Sequence, residues 1–94
     1  MALRFAFLVL EEHPWGRAML RRLLANGHQP GLIIQEVSAV ADEEREKFLT
    51  RMAGQPVAST IAEQVRERSI VVESVPNHND PACRALLNQF QQNS

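Results

Sequence analysis

The stretch "FAFLVLEEHPWGRAMLRRLLANGHQPGLIIQEV", residues 5–37, decides the fold. It opens on six apolar residues, 5–10, with no helix cap ahead of them, and this run reads as a strand buried on both faces. Glu11, Glu12 and His13 follow. Pro14 then suits the first turn of a helix, where its missing N–H costs nothing. Trp15, Met19 and Leu23 recur at every fourth position, with Leu20 and Leu24 beside them, while Arg17, Arg21 and Arg22 fall mostly off that stripe. The spacing predicts an amphipathic helix packed on a sheet, with Trp15 in the core. Asn26-Gly27 ends it, because glycine adopts the left-handed C′ conformation cheaply. Pro30-Gly31 is turn chemistry, and residues 32–37 (LIIQEV) read as a second strand. Strand, helix and strand with short joins make a βαβ unit, parallel and right-handed.

The pattern continues outward from that unit. Asp42, Glu43 and Glu44 suit a helix's first turn, where carboxylates favour the positive end of the dipole. Phe48, Leu49 and Met52 give this helix an apolar edge, and Gly54 stops it. A second helix is expected over residues 56–68, carried by Val57, Ile61 and Val65. Residues 69–75 (SIVVESV) read as the third strand and Pro76-Asn77-His78-Asn79 as a loop. Asp80-Pro81 is a helix start, with Asp as cap and Pro at the first helical position. Cys83, Leu86, Leu87 and Phe90 then fall at i, i+3, i+4 and i+7, before a polar tail at 91–94. The order β-α-β-α-α-β-α predicts an α/β fold: a three-layer, Rossmann-like partial domain whose short parallel sheet is flanked by helices. A helix after a parallel strand leads into another strand, so the architecture reads as unfinished.

Composition bounds the function. With 94 residues the chain is one small domain, 1–94, and ten basic against eleven acidic residues leave a formal charge of -1. That balance gives no electrostatic footprint for nucleic acid or an anionic membrane. The apolar run before Glu11 is too short to span a bilayer and lacks a cleavage site, so a soluble cytoplasmic protein is the expectation. A lone cysteine, Cys83, excludes an internal disulfide and fits a reducing compartment. On its helix stripe it reads as a small buried hydrophobe.

The candidate site residues cluster at strand ends, where open α/β sheets place ligands. Glu11, Glu12 and His13 follow strand one and could bind a cation or a polar substrate. The plainer reading is a solvated loop near a helix N-terminus. His78 and Asn79 follow strand three. A histidine there could hold a ligand or move a proton, although Asn and His also suit tight loops. The turn after strand one has one glycine and two carboxylates, which excludes a dinucleotide fingerprint. No metal-ligand spacing and no catalytic set are present.

"LEEHPWGRAMLRRLL" is similar to the start of response-regulator receiver domains, where an acidic pair after strand one binds magnesium. The phosphoacceptor aspartate such a domain needs after strand three is not met, because that strand runs into Ser74-Val-Pro-Asn-His-Asn79. "RFAFLVL", "GLIIQEV" and above all "VVESVPNHNDPACRALLNQF" resemble the N-terminal half of the formyltransferase family, which includes methionyl-tRNA, glycinamide ribonucleotide and sugar N-formyltransferases. The resemblance covers nearly the whole chain. It implies sheet order 3-2-1 and, in a complete enzyme, formylation of an amine by 10-formyltetrahydrofolate. It also implies a catalytic Asn, a His in an H-x-S-x-x-P segment and an Asp in the half that follows. None of these is in this sequence, and "PNHN" is not the His segment. No cofactor is therefore expected on this chain, and no activity from it alone. Glu11, Glu12, His13, His78 and Asn79 are left as substrate-side contributions.

The resemblance also places a fourth strand beside strand one. Without it, the run from Phe5 to Leu10 is an open apolar edge. A homodimer through that edge, or a missing C-terminal half laid against it, is the expected partner, with Val9→Lys as the probe. A self-associating interaction module is thus the alternative function.

Overall fold

The computed structural model describes residues 4–66 and 68–92. Seven elements follow in the order β1 (Ala6–Leu10), α1 (Pro14–Ala25), β2 (Leu32–Glu36), α2 (Ala39–Arg51), α3 (Ile61–Val65), β3 (Val71–Val75) and α4 (Pro81–Gln92). The strands form one parallel sheet in the order β1-β2-β3, which is 3-2-1 read from the other edge. Ala6 pairs with Leu32, and Leu32 with Val71, so all three strands run in step. The α/β class and the parallel sheet are those the sequence pattern predicts.

Alternation along the strands divides the core in two. Phe7, Val9 and Ile33 point to one face and pack with Leu20 of α1 and Ile61 of α3. Leu32, Ile34 and Val75 point to the other and pack with Cys83 of α4, with Leu86, Leu87 and Phe90 alongside. The α4 stripe is the expected one, and Cys83 is fully buried in it. Asp80 starts that helix as a cap: its Oδ1 accepts from Ala82 N at 2.9 Å and its carbonyl from Cys83 N at 3.0 Å.

On α1 the structure corrects the expected face. Trp15 is 68% exposed and Met19 58% exposed, so neither is core. The helix meets the sheet through Gly16 and Leu20 instead. A Cβ at position 16 would collide with the Val9 side chain, so glycine lets the helix lie close on β1. That contact turns the stripe, and Trp15 and Met19 project past the sheet edge. β1 is correspondingly not buried on both faces, since Leu8 is 43% exposed.

Three boundaries also move, the first being that of the third strand, which begins at Val71 and not at Ser69. α2 begins earlier than the acidic turn suggests, because Ser38 Oγ accepts from Ala41 N at 3.0 Å and caps it. The helix expected over residues 56–68 shrinks to α3. Thr60 Oγ1 accepts from Glu63 N and donates to the Glu63 carboxylate, an N-cap that starts the helix there and not at Pro56. Of the expected polar tail, Gln91 and Gln92 close α4, and residues 93 and 94 lie outside the described residues.

Candidate functional site

Parallel strands bring all their exit turns to one edge of the sheet, and the named candidates meet there. Glu11 N donates to the Glu36 carbonyl at 3.0 Å, tying the β1 exit to the end of β2. His78 N donates to Glu36 Oε1 at 3.2 Å, which ties the β3 exit to the same residue. Glu36 is the hub that sequence reading missed. Its other oxygen accepts from Ser38 Oγ at 2.9 Å. A carboxylate ending a central strand, followed two residues later by a helix-capping serine, was the available signal.

Each candidate has a definite position. Glu12 has φ +52°, a left-handed conformation uncommon outside glycine. That turn aims its carboxylate at the start of α3, where it accepts from Ile61 N at 2.7 Å and Ala62 N at 3.3 Å. Arg17 Nε donates to its carbonyl at 2.8 Å and lies 3.4 Å from Oε1. Glu12 therefore anchors backbone. Glu11 is more open. Arg45 of α2 donates to its carbonyl at 3.0 Å and sits 3.5 Å from its carboxylate, while its other terminal nitrogen holds Asp42 at 2.8 Å. Arg45, also missed in the sequence, clamps α2 over the β1 exit.

His13 caps α1, with Nδ1 accepting from Trp15 N at 3.2 Å. An accepting Nδ1 puts the proton on Nε2 in the neutral ring. The ring lies 5.0 Å from that of Phe48, and Trp15 stands edge-on to Phe48 at 5.3 Å. Burial disfavours the imidazolium and lowers the His13 pKa from its ordinary 6.5; Glu44 opposes this, and Arg17 and Arg45 reinforce it.

His78 folds back over β2. Its Nε2 lies 3.0 Å from the Ile34 carbonyl, and a carbonyl can only accept, so Nε2 carries the proton. Its Nδ1 faces Glu36 Oε1 at 3.8 Å. Asn79 takes its place from an Asx turn, its N–H donating to Asn77 Oδ1 at 2.9 Å, and it is exposed.

Between the β1 exit and α3 lies a cleft of about 240 Å³, with Glu11, Glu12 and Gln35 at its polar end and Ile61, Val65 and Val72 as its apolar wall; His13, His78 and Asn79 do not line it. Ser38 and His78 both contact Glu36, so this carboxylate joins the start of α2 to the β3 exit. Among the described residues, no three His, Cys, Asp or Glu side chains are grouped to hold a metal ion, and no helix is long and apolar enough to cross a membrane. No protein family, curated protein or solved structure matches the chain.

Proposed function

We propose that this chain is the N-terminal portion of a formyltransferase-like protein, supplying the scaffold and one rim of a substrate crevice and silent in catalysis by itself. The observation that supports the reading is a change of side. α1 and α3 share one face of the sheet, and α4 packs on the opposite face against Leu32, Ile34 and Ala6. Right-handed crossovers keep helices on one face while strands are added in one direction. A helix on the other face belongs to a crossover running back over β2 toward the free side of β1. That reversal is the switch point at which doubly wound folds bind ligands, outside the strand C-termini. Glu11 and His13 follow β1 beside this switch point and His78 and Asn79 follow β3 at the other edge of the sheet, with the 10-formyltetrahydrofolate chemistry assigned to a following half. The receiver reading is weaker, because the Glu12 carboxylate is engaged by α3 and Arg17, leaving no acidic pair for magnesium.

The isolated chain is expected to transfer no formyl group from 10-formyltetrahydrofolate to an amine above a buffer blank. The decisive experiment grafts residues 4–92 in place of the matching portion of a sugar N-formyltransferase. A soluble chimaera with folate-dependent turnover supports the proposal. A soluble, folded chimaera that binds neither folate nor acceptor overturns it.

A further inference from the structure

We infer that Asn26 is a site of spontaneous deamidation that the end of α1 holds closed, so that each opening of that helix end exposes the side chain to cyclisation on the Gly27 nitrogen. The inference goes beyond the formyltransferase reading and does not depend on it.

One neighbour sets the site. Asparagine is thermolabile because its side-chain carbonyl carbon can close a five-membered ring with the next backbone nitrogen. A side chain on that next residue crowds the attack. Of the asparagines at 26, 77, 79, 88 and 93, only Asn26 precedes a glycine. Asn26, Gly27 and His28 are exposed, and a Cβ at Gly27 would meet nothing within 4 Å. No bulk among the described residues therefore shields the junction.

Hydrogen bonding at the helix end opposes the reaction. Gly27 has φ +80°. Its N–H donates to the Leu24 carbonyl at 3.1 Å and His28 N to the Leu23 carbonyl at 2.8 Å, the paired bonds of a Schellman motif. The nitrogen that would attack is thus already engaged as a donor. The leaving group is held as well, since Asn26 Nδ2 donates to the Arg22 carbonyl at 2.8 Å. At ψ 9° Asn26 also turns the Gly27 nitrogen away from Cβ, whereas ring closure requires the two to eclipse. All three restraints are released together when the last turn of α1 frays.

The chemistry then balances with water as the sole co-reactant. Gly27 N bonds to Asn26 Cγ and gives up its proton. The Cγ–Nδ2 bond breaks, and Nδ2 leaves as ammonia carrying that proton. Water opens the succinimide at either carbonyl, which gives aspartate or, with the backbone running through Cβ, isoaspartate. Neither product restores the cap. A carboxylate at position 26 only accepts, so the bond to Arg22 is lost, and its charge stands at the negative end of the α1 dipole. Isoaspartate lengthens the backbone and puts the Gly27 and His28 N–H groups out of register with their carbonyls. The converted chain carries a permanently weakened junction between α1 and β2.

Peptide mass spectrometry on the 94-residue chain tests this. After incubation in mildly alkaline buffer, a gain of one mass unit should gather in the tryptic peptide 23–45, whose sole asparagine is Asn26, ahead of the peptides that carry Asn77, Asn79 and Asn88. In urea beyond the unfolding midpoint it should gather roughly tenfold faster or more, the factor by which an opening cost of about 1.4 kcal/mol thins the reactive population. Gly27→Ala should slow conversion in urea, where the cap is already gone and a methyl group crowds the attacking nitrogen. Asn26→Asp should lower the urea midpoint. Equal rates in the folded and unfolded chain would show that the cap protects nothing and overturn the inference. So would conversion in urea that spares Asn26, an undiminished rate in Gly27→Ala, or an Asn26→Asp midpoint at or above the parent's.

Discussion

β1 and β3 are both outer strands, each paired with β2 on one side only. Their sequences treat the other side differently. β3 reads VVESV and carries exposed Glu73 and Ser74, with Ser74 Oγ accepting from Gln35 Nε2 at 2.9 Å. A charge on an outer strand discourages a further strand, because pairing would desolvate it. β1 reads AFLVL and carries no such guard. The inner side of β1 differs again: Val9 is locked against Gly16 while Leu8, one residue earlier, is open. Edge character is thus set residue by residue, and a strand can be tightly fixed on one face and exposed on the other.

The sharpest way to break this contrast is to exchange the two faces of β1. Val9→Lys places an ammonium in the α1/α3 core and should cost about 4 kcal/mol or more, enough to unfold much of a small domain. Leu8→Lys should cost within about 0.5 kcal/mol. Urea denaturation of the two variants measures both, and equal losses would mean the strand faces are misassigned. Val9→Lys, the natural probe from sequence alone, therefore reports on folding, and Leu8→Lys on association.

A smaller loss tests the close approach itself. Gly16→Ala should destabilise by about 1–3 kcal/mol through overpacking against Val9, although alanine in a helix interior is otherwise favoured over glycine by about 1 kcal/mol. A stabilised Gly16→Ala would show that α1 can move off the strand at no cost. Smaller still in stability, Glu73→Val should change the unfolding free energy by only about 0.5 kcal/mol. It removes the guard on β3, so light scattering should reveal higher-order association that the parent lacks. Scattering equal to the parent's would show that Glu73 does not protect that edge.

The smallest expected effect is in pH. His13 has a folded pKa below its ordinary 6.5, so the native state binds fewer protons than the unfolded chain in that window. Stability from this group is complete above pH 6.5 and declines as pH falls below 6.5 toward the lowered native value. The urea midpoint of the parent should drop between pH 7 and pH 5. His13→Asn, which keeps a capping side chain, should lessen that drop, and an undiminished drop would assign it to other groups.

Much of the scaffold was legible because it rests on local rules. Strand runs, the Asn26-Gly27 stop and the Asp80 cap each declare themselves within a few residues. Trp15 and Met19 were misread because helical periodicity says which residues share a stripe, not which stripe meets the sheet; Gly16 settles that through a single close contact with Val9. In the site, Glu11, Glu12, His13, His78 and Asn79 could be named because strand ends are predictable. Glu36 and Arg45 were missed, since the bonds that join them to the strand exits reach residues 34 to 42 positions away. Nor did the sequence show that Glu12 turns left-handed and spends its carboxylate on α3.

The in-step pairing of the strands has a consequence for synthesis. β1 pairs with residues 26 positions ahead, as Ala6 does with Leu32, and β2 with residues 39 ahead, as Leu32 does with Val71. At about 5–20 residues per second, roughly 2–8 s separate the emergence of β2 from that of its second neighbour. During that interval a nascent β1-α1-β2 unit presents two bare edges. β3 later closes one of them and brings its own Glu73 to the margin. The outer edge of β1 leaves the ribosome first, and no strand within residues 4–92 pairs with it.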